Sequence, residues 1–343
     1  MYRQVWVHPV DCLLQLIQFR KTPNEKLQTY RLKTVTYGTA PAPYLATRVL
    51  NQFAVDEAAN YPLVVPMVEK CFYVDDYLSG DDDEQRLVET NRQLIDLLHS
   101  GGFNMRKWCS NSPTVLSHIP ETLRDSRTEL QISQSGSVKA LGLLWHPLSD
   151  EFSFNVPEFV SSEPITKRLV LSEMSRLFDP MGLVGAAIVS AKIFLQALWS
   201  EKFNWNDTLP EEYQKWWKLY RFEIETLSML RIPRRILVDN YRTLELHVFS
   251  DASDSAYGCC IYVKTISSTG EQACKLVISK SRVSPLRKLS TPRLELCAAV
   301  VGAQLAGFVL ESTKWTCPVT YWTDSSIVLH WIASSSSTWK VFM

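Results

Sequence analysis

Several features that mark other protein classes are missing from this sequence. No stretch approaches the ~18 uninterrupted apolar residues that a membrane span needs. The first nine residues also lack the apolar core of a secretory signal peptide. These absences argue against a membrane-spanning or secreted protein and predict an intracellular one.

Patterns for zinc and for disulfides are missing as well. The eight cysteines form no Cys-x-x-Cys pair, and several lie inside apolar runs, where free cysteine behaves as a small hydrophobic residue. The six histidines show no spacing that suits a metal. The sequence therefore predicts neither a zinc site nor a disulfide framework.

An excess of one charge sign is also absent, since 36 Lys and Arg residues balance 36 Asp and Glu residues. Such a balance argues against a protein whose whole surface attracts nucleic acid, so any patch of that kind must be local. One local patch lies between Gln272 and Leu294, which contains no acidic residue. Its basic residues are Lys275, Lys280, Arg282, Arg287, Lys288 and Arg293. They are candidates for phosphate contacts, and a plain basic surface is the alternative.

The chain divides by pattern into three blocks. With 343 residues, 46% of them apolar, it is long enough for two or three domains. Residues 1–148 alternate short apolar segments, including 5–7 and 33–37, with helices predicted over 42–53 and 84–99. Residues 149–240 are predicted to be helical, over 166–178, 184–199 and 210–230, and to serve as a scaffold. Strands return in residues 241–343.

Two adjacent acids, Asp75 and Asp76, follow the apolar run Cys71-Phe72-Tyr73-Val74. Adjacent carboxylates repel each other, so their pairing needs a compensating interaction. A tight hairpin can bring both side chains near one divalent cation, which predicts a metal site for phosphoryl transfer. An exposed acidic turn is the alternative, because four more acids follow at 81–84.

A second set of carboxylates lies in the last block. Alternation over 244–249 predicts a half-buried strand that ends near Asp251, and 257–264 is predicted to be the returning strand of a hairpin. Thr291 and Pro292 predict the start of a helix over 292–310 with Glu295 in its first turn. Its predicted buried stripe is Leu294, Ala298, Val301, Leu305 and Phe308. A strand over 319–323 then ends at Asp324, before a helix over 327–332. Each acid also has a simpler explanation as a cap or a turn residue.

The order of these motifs resembles two known folds. Strand-Asp251, hairpin, helix-Glu295 and strand-Asp324 resemble the ribonuclease H fold, and Tyr73-Val74-Asp75-Asp76 resembles the catalytic hairpin of reverse transcriptases. The segments 37–43, 72–76, 103–108 and 141–145 follow the order seen in the palm of retroelement reverse transcriptases. Residues 167–199 and 232–234 are similar to the BEL/Pao (Pao) class of LTR retrotransposons. The chain is therefore identified as an internal piece of a Pol polyprotein of that class.

This resemblance implies an architecture. The fold class is α+β and α/β, a partial right-hand polymerase with palm and helical thumb followed by a truncated ribonuclease H-like domain. The implied domains are a partial palm at 1–148, a helical thumb or connection at 149–240 and a ribonuclease H-like domain at 241–343. The intact element would act in cytoplasmic virus-like particles.

The resemblance also implies ligands and roles. Asp75 and Asp76 would hold two Mg²⁺ or Mn²⁺ ions for DNA synthesis, and Asp251, Glu295 and Asp324 would hold two ions about 4 Å apart for cleavage of RNA in a hybrid. The implied partners are an RNA template, a DNA primer, dNTPs and an RNA–DNA hybrid. Implied nucleic-acid contacts are Gly38, Tyr73, Lys107, Gly142 and the basic residues Lys280, Arg282, Arg287 and Lys288.

Departures from the family pattern limit the expected activity. The family's third polymerase aspartate would lie just before Met1, and its final ribonuclease H carboxylate would lie after Met343. We therefore expect little or no activity from this polypeptide. The protease and the integrase that performs DNA integration are expected outside it, because no Asp-Thr-Gly, Asp-Ser-Gly or His/Cys zinc pattern is present. A degenerate remnant without a cellular role, or a domesticated module that binds nucleic acid without catalysis, are the alternatives.

Overall fold

The computed structural model describes residues 1–125, 138–140, 143–156, 159 and 164–335. The chain forms two compact units, Met1–Leu141 and Gly142–Met343. The division into three blocks proposed from the sequence remains a prediction. The terminal segment 339–343 lies outside the described residues.

The first unit packs helices around one main apolar core. Its helices are α1 (Ala42–Asp56), α2 (Val65–Cys71), α3 (Glu84–Ser100) and α4 (Pro113–Ser117). Its strands are β1 (Leu16–Phe19), β2 (Gln28–Arg31), β3 (Phe72–Tyr73), β4 (Asp76–Tyr77) and β5 (Val138–Ala140). Leu94 and Leu97 of α3 are fully buried against Val64. The predicted helices at 42–53 and 84–99 are confirmed, each ending slightly later than expected.

The short apolar segments at 5–7 and 33–37 form no strands of their own. They are joined by one isolated antiparallel bridge, between Trp6 and Thr34. Their buried residues, Val5 and Val35, instead pack against Ala42 in a small separate cluster. Apolar alternation over three to five residues was therefore a signal of burial rather than of a sheet.

The second unit begins with a short sheet and three helices. Strand β6 (Leu143–His146) pairs antiparallel with β7 (Glu151–Ser153), which pairs antiparallel with β8 (Ile232–Pro233). The helices are α5 (Lys167–Met174), α6 (Gly185–Ser200) and α7 (Glu211–Glu225). All three helices were predicted, but α5 ends four residues early and α7 is followed by a 3-10 turn, Thr226–Met229.

A buried ion pair joins α5 to α7. The Glu173 carboxylate accepts hydrogen bonds from Arg221 Nη2 at 2.7 Å and from the Trp217 indole N–H at 2.7 Å. All three residues are buried. Burial without these partners would be costly, so the pair fixes how the two helices pack.

A four-stranded sheet forms the rest of the second unit. Its strands are β9 (Tyr241–Ala252), β10 (Ala256–Ser267), β11 (Gln272–Val283) and β12 (Val319–Trp322). The spatial order is β11, β10, β9, β12, in which the first three strands are antiparallel and β12 runs parallel to β9. The hairpin of β9 and β10 and the strand β12 confirm the prediction, whereas the sequence indicates β11 only as a basic stretch.

Two helices complete this sheet, α8 (Thr291–Thr313) and α9 (Ser326–Ala333). The predicted stripe of α8 is confirmed except at Phe308, which is 58% exposed, while Val309 is buried in its place. Over four turns the stripe has drifted by one position, because 3.6 residues per turn do not match a fixed spacing. The helix begins at Thr291 after the cap residue Ser290, one position earlier than predicted.

Within the described residues, α8 is the one helix that is long and apolar enough to cross a membrane by length and composition alone. Of its most apolar window, 44% is buried inside the structure. Val301 and Leu305 pack there on Val248 and Ile261 of the sheet. A helix that packs in a protein core can be equally long and apolar, and the contacts of α8 with the sheet are of that kind.

The segment before α6 docks on the outer strand β11. The Ser279 N–H donates to the Met181 carbonyl at 2.9 Å, and the Ser279 hydroxyl donates to the Gly182 carbonyl. Gly182 has φ +68°, and a Cβ there would lie 2.2 Å from the Ser279 carbonyl oxygen. The Asp179 carboxylate accepts the N–H groups of Leu183 and Val184 at the start of α6. This turn places the helices and the sheet in one unit.

Candidate metal centre

Three acids from separate elements meet at one edge of the sheet. Asp251 lies near the end of β9, Glu295 on α8, and Asp324 just after β12. The parallel register pairs Trp322 with Phe249, so both aspartates lie two residues beyond a paired position. One carboxylate oxygen from each acid lies within 4.8 Å of the others. Parallel pairing of β9 and β12 therefore produces the cluster that the sequence predicted.

Glu295 is the buried member of the cluster. It is 7% exposed, and its Oε2 atom has no hydrogen-bond partner. Burial raises its pKa, and the nearby charges of Asp251 and Asp324 raise it further, while a backbone hydrogen bond from Ala252 acts in the opposite direction. The expectation that Glu295 lies in the first turn of its helix is wrong: with the helix starting at Thr291, it lies in the second turn. There it is covered by protein rather than solvated at a helix end.

Such a cluster suits a divalent cation. Carboxylate oxygens are the ligands that Mg²⁺ and Mn²⁺ prefer, and three like charges at this separation are unfavourable without a counter-charge. The unpartnered Oε2 of a buried glutamate is the observation that fits a metal, because a buried acceptor without a donor is costly. Among the described residues, this is the one group of three or more metal-ligating side chains close enough to share an ion.

The second acidic site, in the first unit, is a two-residue hairpin. Tyr73 pairs with Asp76 across a turn formed by Val74 and Asp75. Val74 has φ +58°, and both aspartates are exposed. The predicted strand-turn-strand geometry is present, whereas a role in metal binding stays a prediction.

Aromatic packing connects this hairpin to the segment that contains Lys107. The Tyr77 ring lies edge-on to Trp108, with ring centroids 5.7 Å apart. Tyr77 also donates to the Asn91 side chain at 3.3 Å, and burial raises its pKa to about 12. Lys107, with φ +60°, is exposed next to Trp108. Packing around Tyr77 therefore holds the hairpin against this segment.

The remaining predicted contacts of the first unit are less informative. Gly38 lies in the exposed turn before α1, with φ +87° and open space where a side chain would lie. Tyr73 is 65% exposed. Gly142, predicted to contact the primer, lies outside the described residues.

The predicted basic residues are exposed along β11 and the loop that leads to α8. They are Lys280, Arg282, Arg287 and Lys288. Arg282 lies close enough to Cys297 to lower the pKa of that thiol, against the larger raising effect of burial. Cys297 is two residues after Glu295, so at least this cation lies on the side of the sheet that α8 covers.

A groove opens beside the acidic cluster. It has a volume of about 310 Å³ and is lined by Asp251, by Phe249 and Tyr257 of the β9–β10 hairpin, and by Val189 of α6. No sequence pattern predicts this groove, because α6 and the hairpin lie far apart in the chain. Only the docking of α6 on β11 brings Val189 there.

Comparison with known proteins supports a retroelement relationship. Residues 166–325 match the family described as Pao retrotransposon-like RNaseH-like domain. This match begins one residue before α5 and ends one residue after Asp324, so it includes all three acids. It covers under half of the chain. Comparison with curated proteins gave no match.

A similar solved structure extends the relationship in fold. It is described as a foamy viral protease-reverse transcriptase dRH in complex with ds DNA, with 15% sequence identity and a TM-score of 0.50. The alignment covers 95% of this chain and 49% of that one, so the chain spans about half of the viral protein's length. The likeness is one of fold. The family match, in turn, relates residues 166–325 to a retrotransposon ribonuclease H-like domain.

Proposed function

We propose that this chain belongs to the Pol polyprotein of a BEL/Pao retrotransposon and that its second unit is a metal-dependent nuclease of the ribonuclease H type. The carboxylate cluster is the observation that supports this proposal best. Asp251, Glu295 and Asp324 converge from three elements, and Glu295 is buried with an unpaired oxygen.

In this proposal the three acids hold divalent ions, Mg²⁺ or Mn²⁺, two in the intact enzyme. Bound ions of this kind supply an activated water and stabilise charge on a phosphate. The chain's own contribution is to hold the three carboxylates close together. Burial of Glu295 keeps solvent away from one side of the site.

Contacts with nucleic acid are assigned to the exposed cations Lys280, Arg282, Arg287 and Lys288. An RNA–DNA hybrid would present a regular phosphate backbone to them, and such contacts position a duplex without reading its sequence. The DNA in the similar viral structure belongs to that protein. It supports the class of ligand proposed for this one.

For the first unit we propose a reverse transcriptase palm, followed by a helical thumb. Asp75 and Asp76 are its proposed metal ligands for DNA synthesis, with Tyr73, Gly38, Gly142 and Lys107 near template, primer and dNTP. The two-residue hairpin with both aspartates exposed supports this assignment. Within the described residues, no third metal-ligating side chain clusters with these two aspartates.

Metal binding is the direct test of the second unit. Titration calorimetry with Mn²⁺ should show binding to the wild-type chain, and Asp251→Asn combined with Glu295→Gln should weaken it by more than about 100-fold. Both titrations are made in an Asp75→Asn plus Asp76→Asn background, which removes the carboxylates proposed as metal ligands in the first unit. Any cleavage of a hybrid must be lost in the first double variant. Binding that survives in that variant would contradict the site.

A further inference from the structure

The turn that joins β9 to β10 is held by a hydrogen bond of its own and by hydrogen bonds to residues of other elements. It comprises Ser253, Asp254 and Ser255, directly after the strand that contains Asp251. Within the turn, the Ser253 N–H donates to the Ala256 carbonyl at 2.8 Å. Two residues outside the turn, Ser284 and Thr291, attach it to other elements, and both attachments lead to parts of the proposed metal site.

The first attachment passes through Ser284 to helix α6. The Ser284 N–H donates to the Ser255 carbonyl at 2.9 Å, and the Ser284 carbonyl accepts from Gln196 Nε2 at 2.7 Å. Ser284, which takes part in both contacts, is itself buried, with 7% of its surface exposed. The backbone N–H and carbonyl of Ser284 thus connect helix α6 to the turn beside Asp251.

The second attachment joins the turn to the start of α8. Thr291 Oγ1 donates to Asp254 Oδ1 at 3.1 Å. Thr291 is the first residue of the helix, and Glu295 follows one turn later on the same face. This contact therefore connects the turn after Asp251 to the helix that contains Glu295.

We infer that Gln196 and Thr291 are positioning residues of the metal centre, an inference that rests on the proposed function. Neither side chain belongs to the carboxylate cluster. Their hydrogen bonds fix the β9–β10 turn against α6 and α8, and so fix Asp251 relative to Glu295. Metal affinity depends strongly on such supporting contacts, because ligands that are already in place need no reordering on binding.

Gln196→Met tests the first attachment, because it removes the amide donor and preserves side-chain length. Gln214→Met is its matched control: Gln214 Nε2 also donates to a backbone carbonyl, that of Leu209, at 2.7 Å, but on α7. With Asp75 and Asp76 both changed to Asn, so that only the second unit's site is measured, we expect Gln196→Met to weaken Mn²⁺ binding by about tenfold and Gln214→Met to weaken it less than about twofold. Comparable melting temperatures for the two variants would show that the difference is not general destabilisation.

Thr291→Val tests the second attachment, because it removes the hydroxyl and keeps the shape. A loss of about threefold to tenfold in Mn²⁺ affinity is expected, with recovery in Thr291→Ser, which restores the donor. If wild type binds Mn²⁺ and both Gln196→Met and Thr291→Val bind it equally well, the inference is wrong and the proposed function stands. If wild type binds no Mn²⁺, the proposed metal centre fails and the inference fails with it.

Hydrogen exchange provides a readout that needs no metal. In the metal-free protein, the amides of Ser253 and Ser284 are both donors in the attached turn. They should exchange about tenfold faster in Gln196→Met than in wild type or Gln214→Met, since local opening controls their protection. Unchanged exchange at both amides would overturn the inference whatever the metal data show.

Discussion

The two acidic sites of this chain differ in how their carboxylates come together. Asp75 and Asp76 are neighbours in sequence, lie on a two-residue hairpin and are exposed. Asp251, Glu295 and Asp324 come from three separate elements, and Glu295 is buried with its Oε2 atom unpaired. Acids that are adjacent in the sequence can thus remain exposed on a short turn, whereas acids far apart in the sequence can come together in the fold.

The difference follows from what supports each site. The hairpin of the first unit is held by the packing of Tyr77 on Trp108, on one side of two short strands. The cluster of the second unit is held by a four-stranded sheet, a long helix over it and helix α6 docked on its outer strand. Three well-packed elements fix three side chains more closely than one turn fixes two.

The largest effect should come from breaking the docking of α6. Gly182→Ala would place a Cβ against the Ser279 carbonyl in a backbone conformation with positive φ, which should destabilise the chain by about 3 kcal/mol or more. Gly38→Ala, in the first unit, meets open space at a similar φ and should cost only about 1 kcal/mol. Urea unfolding followed by tryptophan fluorescence measures both, and equal costs would show that the docking adds little.

A smaller effect is expected from the charge of Glu295. Because folding raises its pKa above the ordinary value of 4.5, the metal-free fold is favoured at low pH and loses stability as the pH rises through the raised pKa. Glu295→Gln should therefore raise the metal-free stability at pH 7 by about 1 kcal/mol, and the gain should vanish near pH 4. Thermal melts in a chelator across this range provide the measurement.

Asp76→Asn is the counterpart in the first unit. Its side chain is exposed, so the substitution should change stability at pH 7 by less than about 0.5 kcal/mol. A pH-dependent gain in this variant, or none in Glu295→Gln, would remove the distinction between the two sites.

The smallest effect concerns the exposed cations. Lys280→Gln combined with Arg282→Gln should weaken binding of an RNA–DNA hybrid several-fold and reduce its salt dependence by about one unit per lost phosphate contact. Lys215→Gln with Lys218→Gln on α7 removes the same number of exposed charges elsewhere in the unit. Fluorescence anisotropy at several salt concentrations distinguishes the pairs, and identical slopes would reassign the basic stretch to a plain surface.

The sequence by itself determined most of the elements and the acids they contain. Alternation at Leu246 and Val248 predicted β9, the Thr291-Pro292 start predicted α8, and the strand before Asp324 predicted β12, because these signals depend on residues close together in the chain. The hairpin at Tyr73–Asp76 was also readable, since a two-residue turn is a local structure.

Tertiary structure decided how those elements pack and which side chains they bury. Local patterns did not show that β11 completes the sheet, that Ser279 and Gly182 dock α6 on it, or that Glu295 is buried with Oε2 unpaired. Each depends on contacts between residues far apart in sequence, and burial is a property of the packed unit rather than of a residue type. The acids were evident from the sequence, and the distances and the burial that make them a candidate metal centre come from the fold.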